Sequence, residues 1–187
     1  RDNLSQTLAK VRATMCNWAM QVAQRCAPLL DLMRQRILEG PLVGIDETPL
    51  QVLNEPDRAA TTKSYMWVFR GGSPEAATVV YLYHPTRAGA VPRDYLQAYQ
   101  GYVQTDGYTA YDELGRRSGV VMLGCWAHAR RKYVEVEQAS KNAHSAHVAL
   151  GYIKKLYIIE HRADALELDS DGRREFREQH SRPLLLE

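Results

Sequence analysis

GYVQTDGYTAYDELGRRSGVVMLGCWAHARRKY, residues 101–133, decides the fold. Tyr102, Val103 and Gln104 form a short β-prone run that stops at Thr105-Asp106-Gly107. Gly107 lets the backbone leave sharply, so Asp106 sits at the C-terminal end of a strand. Open α/β sheets bind ligands at such ends. Val120, Val121, Met122 and Leu123 are a continuous apolar run, which predicts a strand buried on both faces. Cys125 to Tyr133 then reads as a helix carrying a cation cluster, with Trp126 in the core.

Upstream, Leu4, Leu8, Val11, Met15, Trp18 and Val22 recur at spacings of three and four, predicting a helix over residues 4–26. Pro28 suits the first turn of a second helix, and Gly40-Pro41 ends it. Residues 1–40 are thus a helical arm that packs on the core. The alternative is the end of a DNA-binding helix-turn-helix, with Arg12 to Trp18 in the recognition helix. Leu42 to Leu53 is a first strand interrupted by Asp46, an acid that is costly among apolar neighbours unless paired or bound to a cation. Ser64 to Arg70 and Ala77 to Tyr83 are two more strands, and the short links predict an antiparallel meander. Pro92 opens a short helix through Tyr99.

The resulting order, β-β-β-α-β-α-β-α, predicts an α/β domain with a mixed five-stranded sheet and flanking helices. It is the order of the ribonuclease-H-like fold, in which the first strand is central and pairs with the fourth. Acids on those two strands meet at one edge of the sheet, and here they are Asp46 and Asp106. The expected organisation is a helical arm over 1–40, a ribonuclease-H-like core over 41–138 and a helical stretch over 139–187. Within that last stretch, Asp169 is an N-cap candidate for a helix that follows.

Composition sets limits. A length of 187 residues with 45% hydrophobic and 25% charged content suits one ordinary globular domain. A net charge of +2 gives no bulk argument for nucleic-acid binding, so such a claim needs local clusters. Three cysteines make no even disulfide framework, and no apolar run is long enough to span a bilayer. A reduced intracellular setting follows as the expectation. A start at Arg1 rather than Met leads to the expectation of an excerpt from a longer chain.

Two carboxylates brought to one spot repel each other, and a divalent cation relieves that conflict. Mg²⁺ prefers a few carboxylates plus water and phosphate oxygens, and paired ions serve phosphodiester chemistry. The plainer reading is two unrelated acids, since Asp-Gly is a common turn dipeptide. Cys125-x-x-His128 lacks further ligands at zinc spacing. Arg130, Arg131 and Lys132 read either as a solvated run or as contacts to DNA phosphate. Tyr108 and Tyr111 either stack on a base or pack the sheet.

Four blocks carry a resemblance: Gly44-Ile45-Asp46-Glu47-Thr48-Pro49, Tyr65 to Val68, Gly101 to Tyr108, and Gly124 to Lys132. With Glu178 to Leu185 they resemble the insertion-sequence-66 family of bacterial DDE transposases, from about Thr14 to the end of the chain. The resemblance implies a ribonuclease-H-like core that cuts and rejoins DNA with Mg²⁺ or Mn²⁺, two ions in the complete site. It implies Asp46 and Asp106 as the first two catalytic acids and metal ligands. It implies His128, Arg130, Arg131 and Lys132 beside them, holding DNA. The implied partners are element ends and target DNA, with a homo-oligomer in the active complex and no membrane. The implied setting is the bacterial cytoplasm, at the nucleoid.

One departure stands out. The family's third acid is a downstream Glu in an Asn-Asn-x-x-Glu context, and no such context occurs here; Glu160, Glu167, Glu175, Glu178 and Glu187 have the wrong neighbours. The resemblance thus implies an incomplete core over 41–138 and a truncated helical insertion over 139–187, with weak metal binding and little or no strand transfer by this stretch alone. Two other readings share the pattern: a ribonuclease-H-like nuclease or resolvase, and an inactive DNA-binding or dimerisation module.

Overall fold

The computed structural model describes residues 2–140 and 143–186; Glu187 and the side chain of Leu4 lie outside the described residues. Two helices come first, α1 (Asp2–Arg25) and α2 (Ala27–Glu39), the second with Pro28 in its opening turn, where the missing N–H has no intrahelical partner to lose. Then come β1 (Leu42–Gln51), β2 (Lys63–Gly71) and β3 (Thr78–His84). Helix α3 (Ala90–Tyr95) leads to β4 (Gly101–Thr105), and a 3₁₀ turn (Thr109–Tyr111) with α4 (Asp112–Gly115) leads to β5 (Val120–Gly124). Helices α5 (Trp126–Ala139), α6 (His144–Ala165), α7 (Ser170–His180) and α8 (Arg182–Leu186) complete the described chain.

The sheet order is β3-β2-β1-β4-β5. The expected meander is present: β1 pairs antiparallel with β2, and β2 with β3. β1 is central and pairs parallel with β4, which pairs parallel with β5. The chain forms two compact units, residues 1–124 and 125–187.

In the first unit one sheet face is dry. Val43 and Ile45 of β1, Trp67 and Phe69 of β2, Val103 of β4 and Val120 of β5 are buried with Ile37 of α2 and Tyr95, Leu96 and Tyr99 around α3. The Phe69 and Tyr95 rings stack at 3.6 Å between centroids. Residues of opposite parity look the other way, because successive strand side chains alternate. Leu42, Tyr102, Val121 and Leu123 lie on that second face and are exposed. The reading of β5 as buried on both faces is therefore corrected. β5 is an edge strand with one buried face, so Val120 is covered while Val121 is 51% exposed.

Two further expectations change. The apolar stripe of α1 exists, but Leu8, Val11, Met15, Trp18 and Val22 all stay exposed instead of entering the core. In the second unit Trp126 is 48% exposed. It forms part of the wall of a cleft of about 530 Å³ with Ile153, Leu156, Tyr157, Arg177 and Leu185. Asp169 does cap α7, its carboxylate accepting from Gly172 N–H at 2.8 Å. No helix of the described residues is long and apolar enough to cross a membrane.

Candidate metal centre

The parallel ladder between β1 and β4 pairs Leu42 with Tyr102, Val43 with Val103 and Gly44 with Gln104. Asp46 and Asp106 each lie two positions beyond the last of these pairs, Asp46 within β1 and Asp106 just after β4. Opposed residues of neighbouring strands point to the same face. Leu42, Gly44 and Asp46 share a face with Tyr102 and Gln104, opposite the buried Val43, Ile45 and Val103. Asp106 directly follows the last residue of β4, while β1 runs on past Asp46 to Gln51. The Tyr111 hydroxyl feels both carboxylates, which, after burial and the contact with Glu47, help push its pKa far above that of free tyrosine.

Each aspartate is fixed in rotation by a backbone donor. Asp46 Oδ1 accepts from the N–H of Glu47 at 2.9 Å, and Asp106 Oδ1 from the N–H of Tyr108 at 2.9 Å. The second is an Asx-type turn, which Gly107 permits by taking φ of +83°. Asp46 is exposed, and the Asp106 side chain keeps 24% of its surface. The costly buried acid anticipated at Asp46 is instead its neighbour: Asp46 lies on the open face, and alternation turns Glu47 inward.

Glu47 has a side chain only 1% exposed. A carboxylate that deep needs partners for both oxygens. Arg87 supplies them at Oε1, with Nε donating at 2.5 Å and Nη2 also in contact; the Tyr111 hydroxyl donates to Oε2. The Arg87 guanidinium lies over the Tyr108 ring at 3.8 Å, and its Nη2 stands 3.9 Å from Asp106 Oδ2. Burial lowers the Arg87 pKa, but the hydrogen bond and charge of Glu47 outweigh it, and the net direction is up. Three segments far apart in sequence therefore converge on one buried carboxylate: strand β1, the loop after β3, and the turn after β4.

Sequence reasoning missed both Glu47 and Arg87. The signal for Glu47 was parity, since it shares phase with Val43 and Ile45. Arg87 stands in a polar loop without any local mark. Tyr108 and Tyr111 resolve toward packing: Tyr111 is buried and meets Trp67 and Tyr108 edge-on.

His128, Arg130, Arg131 and Lys132 lie on α5, in the second unit. His128 is half-buried; the three cations are exposed, and Lys132 pairs with Glu135 at 3.0 Å.

Carboxylate oxygens with solvent access, as Asp46 and Asp106 have, are the donor type that suits a hard divalent cation. Among the described residues no group of three or more His, Cys, Asp or Glu side chains is arranged to hold a metal. Asp46 and Asp106 would supply two protein ligands and leave the remaining positions to water or phosphate.

A sequence profile described as "Transposase IS66 family" matches residues 5–187. Among curated proteins, "Uncharacterized protein y4qI" of Sinorhizobium fredii (strain NBRC 101917 / NGR234) is 31% identical over 137 residues, covering 67% of this chain and 25% of the relative. "Uncharacterized protein y4jD" of the same strain is 31% identical over 162 residues, covering 80% of this chain and 31% of the relative. The chain therefore spans about a quarter to a third of the relatives it matches. Among solved structures, a chain of "CryoEM structure of simian T-cell lymphotropic virus intasome in complex with PP2A regulatory subunit B56 gamma" aligns with a TM-score of 0.36 and 12% identity, over 61% of this chain and 48% of that one.

Proposed function

Because the chain belongs to the IS66 family of transposases, we propose that it carries the ribonuclease-H-like part of a metal-dependent enzyme that cleaves DNA strands and transfers them. The observation that supports this reading is the parallel register of β1 and β4, in step from Leu42 with Tyr102 to Gly44 with Gln104, with both Asp46 and Asp106 acting on the Tyr111 hydroxyl. The strand order, with β1 central and parallel to β4, supports the fold assignment.

In this reading Asp46 and Asp106 hold Mg²⁺ or Mn²⁺. When bound, such ions polarise the scissile phosphate and favour an attacking oxygen. The chain's own residues do the rest. The backbone donors of Glu47 and Tyr108 orient the two carboxylates before any ligand arrives, so little reorganisation remains at binding. Arg130, Arg131 and Lys132 offer three cations on one helix for DNA phosphates. A complete site needs a third carboxylate, which in this reading comes from another part of the longer polypeptide. The substrates are the element's ends and target DNA, the working form is an oligomer, and the setting is the bacterial nucleoid.

The test uses the whole protein with Mn²⁺ and DNA bearing the element's ends. Asp46→Asn and Asp106→Asn should each lower strand cleavage and strand transfer by about a thousandfold or more, while binding to the ends persists. Cleavage untouched by either change would remove the acid pair from the active site. Cleavage without any joining would assign the chain to the nucleases instead.

A further inference from the structure

Arg87 stands between two carboxylates and is bonded to only one of them. Both Nε and Nη2 turn to Glu47 Oε1, while Asp106 Oδ2 is left at 3.9 Å, beyond hydrogen-bond range. An arginine that close to a half-exposed aspartate would ordinarily close on it as a charge-assisted pair. The buried Glu47 prevents this by offering a second carboxylate in a drier place, one the Tyr111 hydroxyl has already oriented.

We propose that Glu47 is a positioning residue that holds Arg87 off Asp106, so that Asp106 stays available as a metal ligand. Arg87 acts in turn through the Tyr108 ring, against which it lies, and so steadies the turn that carries Asp106. Glu47 is not itself a ligand: alternation along β1 turns it to the face opposite Asp46, and its two oxygens are occupied. The inference rests on the metal-binding reading of Asp46 and Asp106.

Its consequence has a definite sign. Neutralising Glu47 alone releases Arg87 toward Asp106 and weakens metal binding; neutralising Arg87 as well removes the competitor and restores it. A residue that merely stabilised the fold would behave oppositely, with the double change doing at least as much harm as the single one. The experiment is Mn²⁺ binding by calorimetry and by electron paramagnetic resonance on the whole protein, with crystal structures of the parent and the Glu47→Gln variant. Glu47→Gln should weaken Mn²⁺ binding about tenfold, and Glu47→Gln/Arg87→Gln should return to within about threefold of the parent.

Unchanged affinity in the single variant, or a double variant as weak as the single, overturns the proposal. If the single variant does not fold, the double variant decides: affinity near the parent's agrees, and a tenfold loss refutes. If the parent binds no Mn²⁺, or Asp46→Asn and Asp106→Asn leave binding intact, the metal-binding reading fails. The structures still decide the inference then. The 3.9 Å gap between Arg87 and Asp106 should shrink to about 2.8 Å in Glu47→Gln. A gap that stays open refutes the restraint.

Discussion

At the scale of single residues, Glu47 governs a larger part of the site than its more conspicuous neighbour. Its oxygen facing Tyr111 has that hydroxyl as a donor in a region closed to water. Tyr111→Phe should therefore cost about 1–3 kcal/mol in urea unfolding, because a buried acceptor is left short of a donor. Burial pushes the Tyr95 phenol up to about 12, against an opposing pull from Arg34, and the Tyr111 phenol is raised as well. An unfolded tyrosine ionises near pH 10. The native state thus keeps its protons longer, and stability should be undiminished below about pH 10 and fall as pH rises toward about 12. Thermal unfolding across that alkaline range, with phenolate absorbance, checks it. Of this site, the turn that carries Asp106 was legible in the sequence, because an Asp-Gly dipeptide leaves a local mark. Arg87 was not, since its role comes from a contact forty positions from Glu47 along the chain.

At the scale of elements, turns and strands differ in what they tolerate. Gly101 takes φ of +143°, and a Cβ there would lie 2.8 Å from the carbonyl oxygen of Pro41. Gly107 takes φ of +83° but faces open space. Gly101→Ala should therefore destabilise by about 2–3 kcal/mol and Gly107→Ala by only about 1 kcal/mol, read by chemical denaturation of both variants. On α5 the three exposed cations have a measurable signature if they meet DNA. Each one replaced by Ala should reduce the salt dependence of binding by about 0.9 in log–log slope. Apolar strings alone misled about β5 and Trp126. A run such as Val120 to Leu123 does not record whether its strand will be interior or at an edge, and only pairing partners decide that. The meander and the crossover order were readable because turn lengths and alternation are local.

At the scale of the whole molecule, the second unit joins α6 to α7 by charge, beside the apolar residues of α6 that it buries. Glu160 on α6 accepts from Arg177 at 2.7 Å and from Arg173 at 3.2 Å, both on α7. The hydrogen bond from Arg177 draws the Glu160 pKa below its usual 4.5, against an opposing effect of burial. A carboxylate lowered in the folded state adds stability above its unfolded pKa and loses it as pH falls through the folded one. The pairing of α6 with α7 should thus weaken on acidification below about pH 4.5, by roughly 1 kcal/mol after solvent screening. Glu160→Gln should abolish that part of the acid sensitivity, which helical circular dichroism against pH would measure.

The in-step ladder of β1 and β4 gives the acid pair an uneven tolerance of insertions and deletions. Lengthening the link over residues 52–62 leaves the ladder untouched, so such changes can accumulate there, whereas the link over 85–89 carries Arg87 and is held by its contacts with Glu47 and Tyr108. Removing or adding one residue within Gly101–Thr105 would rotate Asp106 to the far side of its ribbon. A lineage carrying this scaffold is free to drift in loop length and held to strict spacing over five positions.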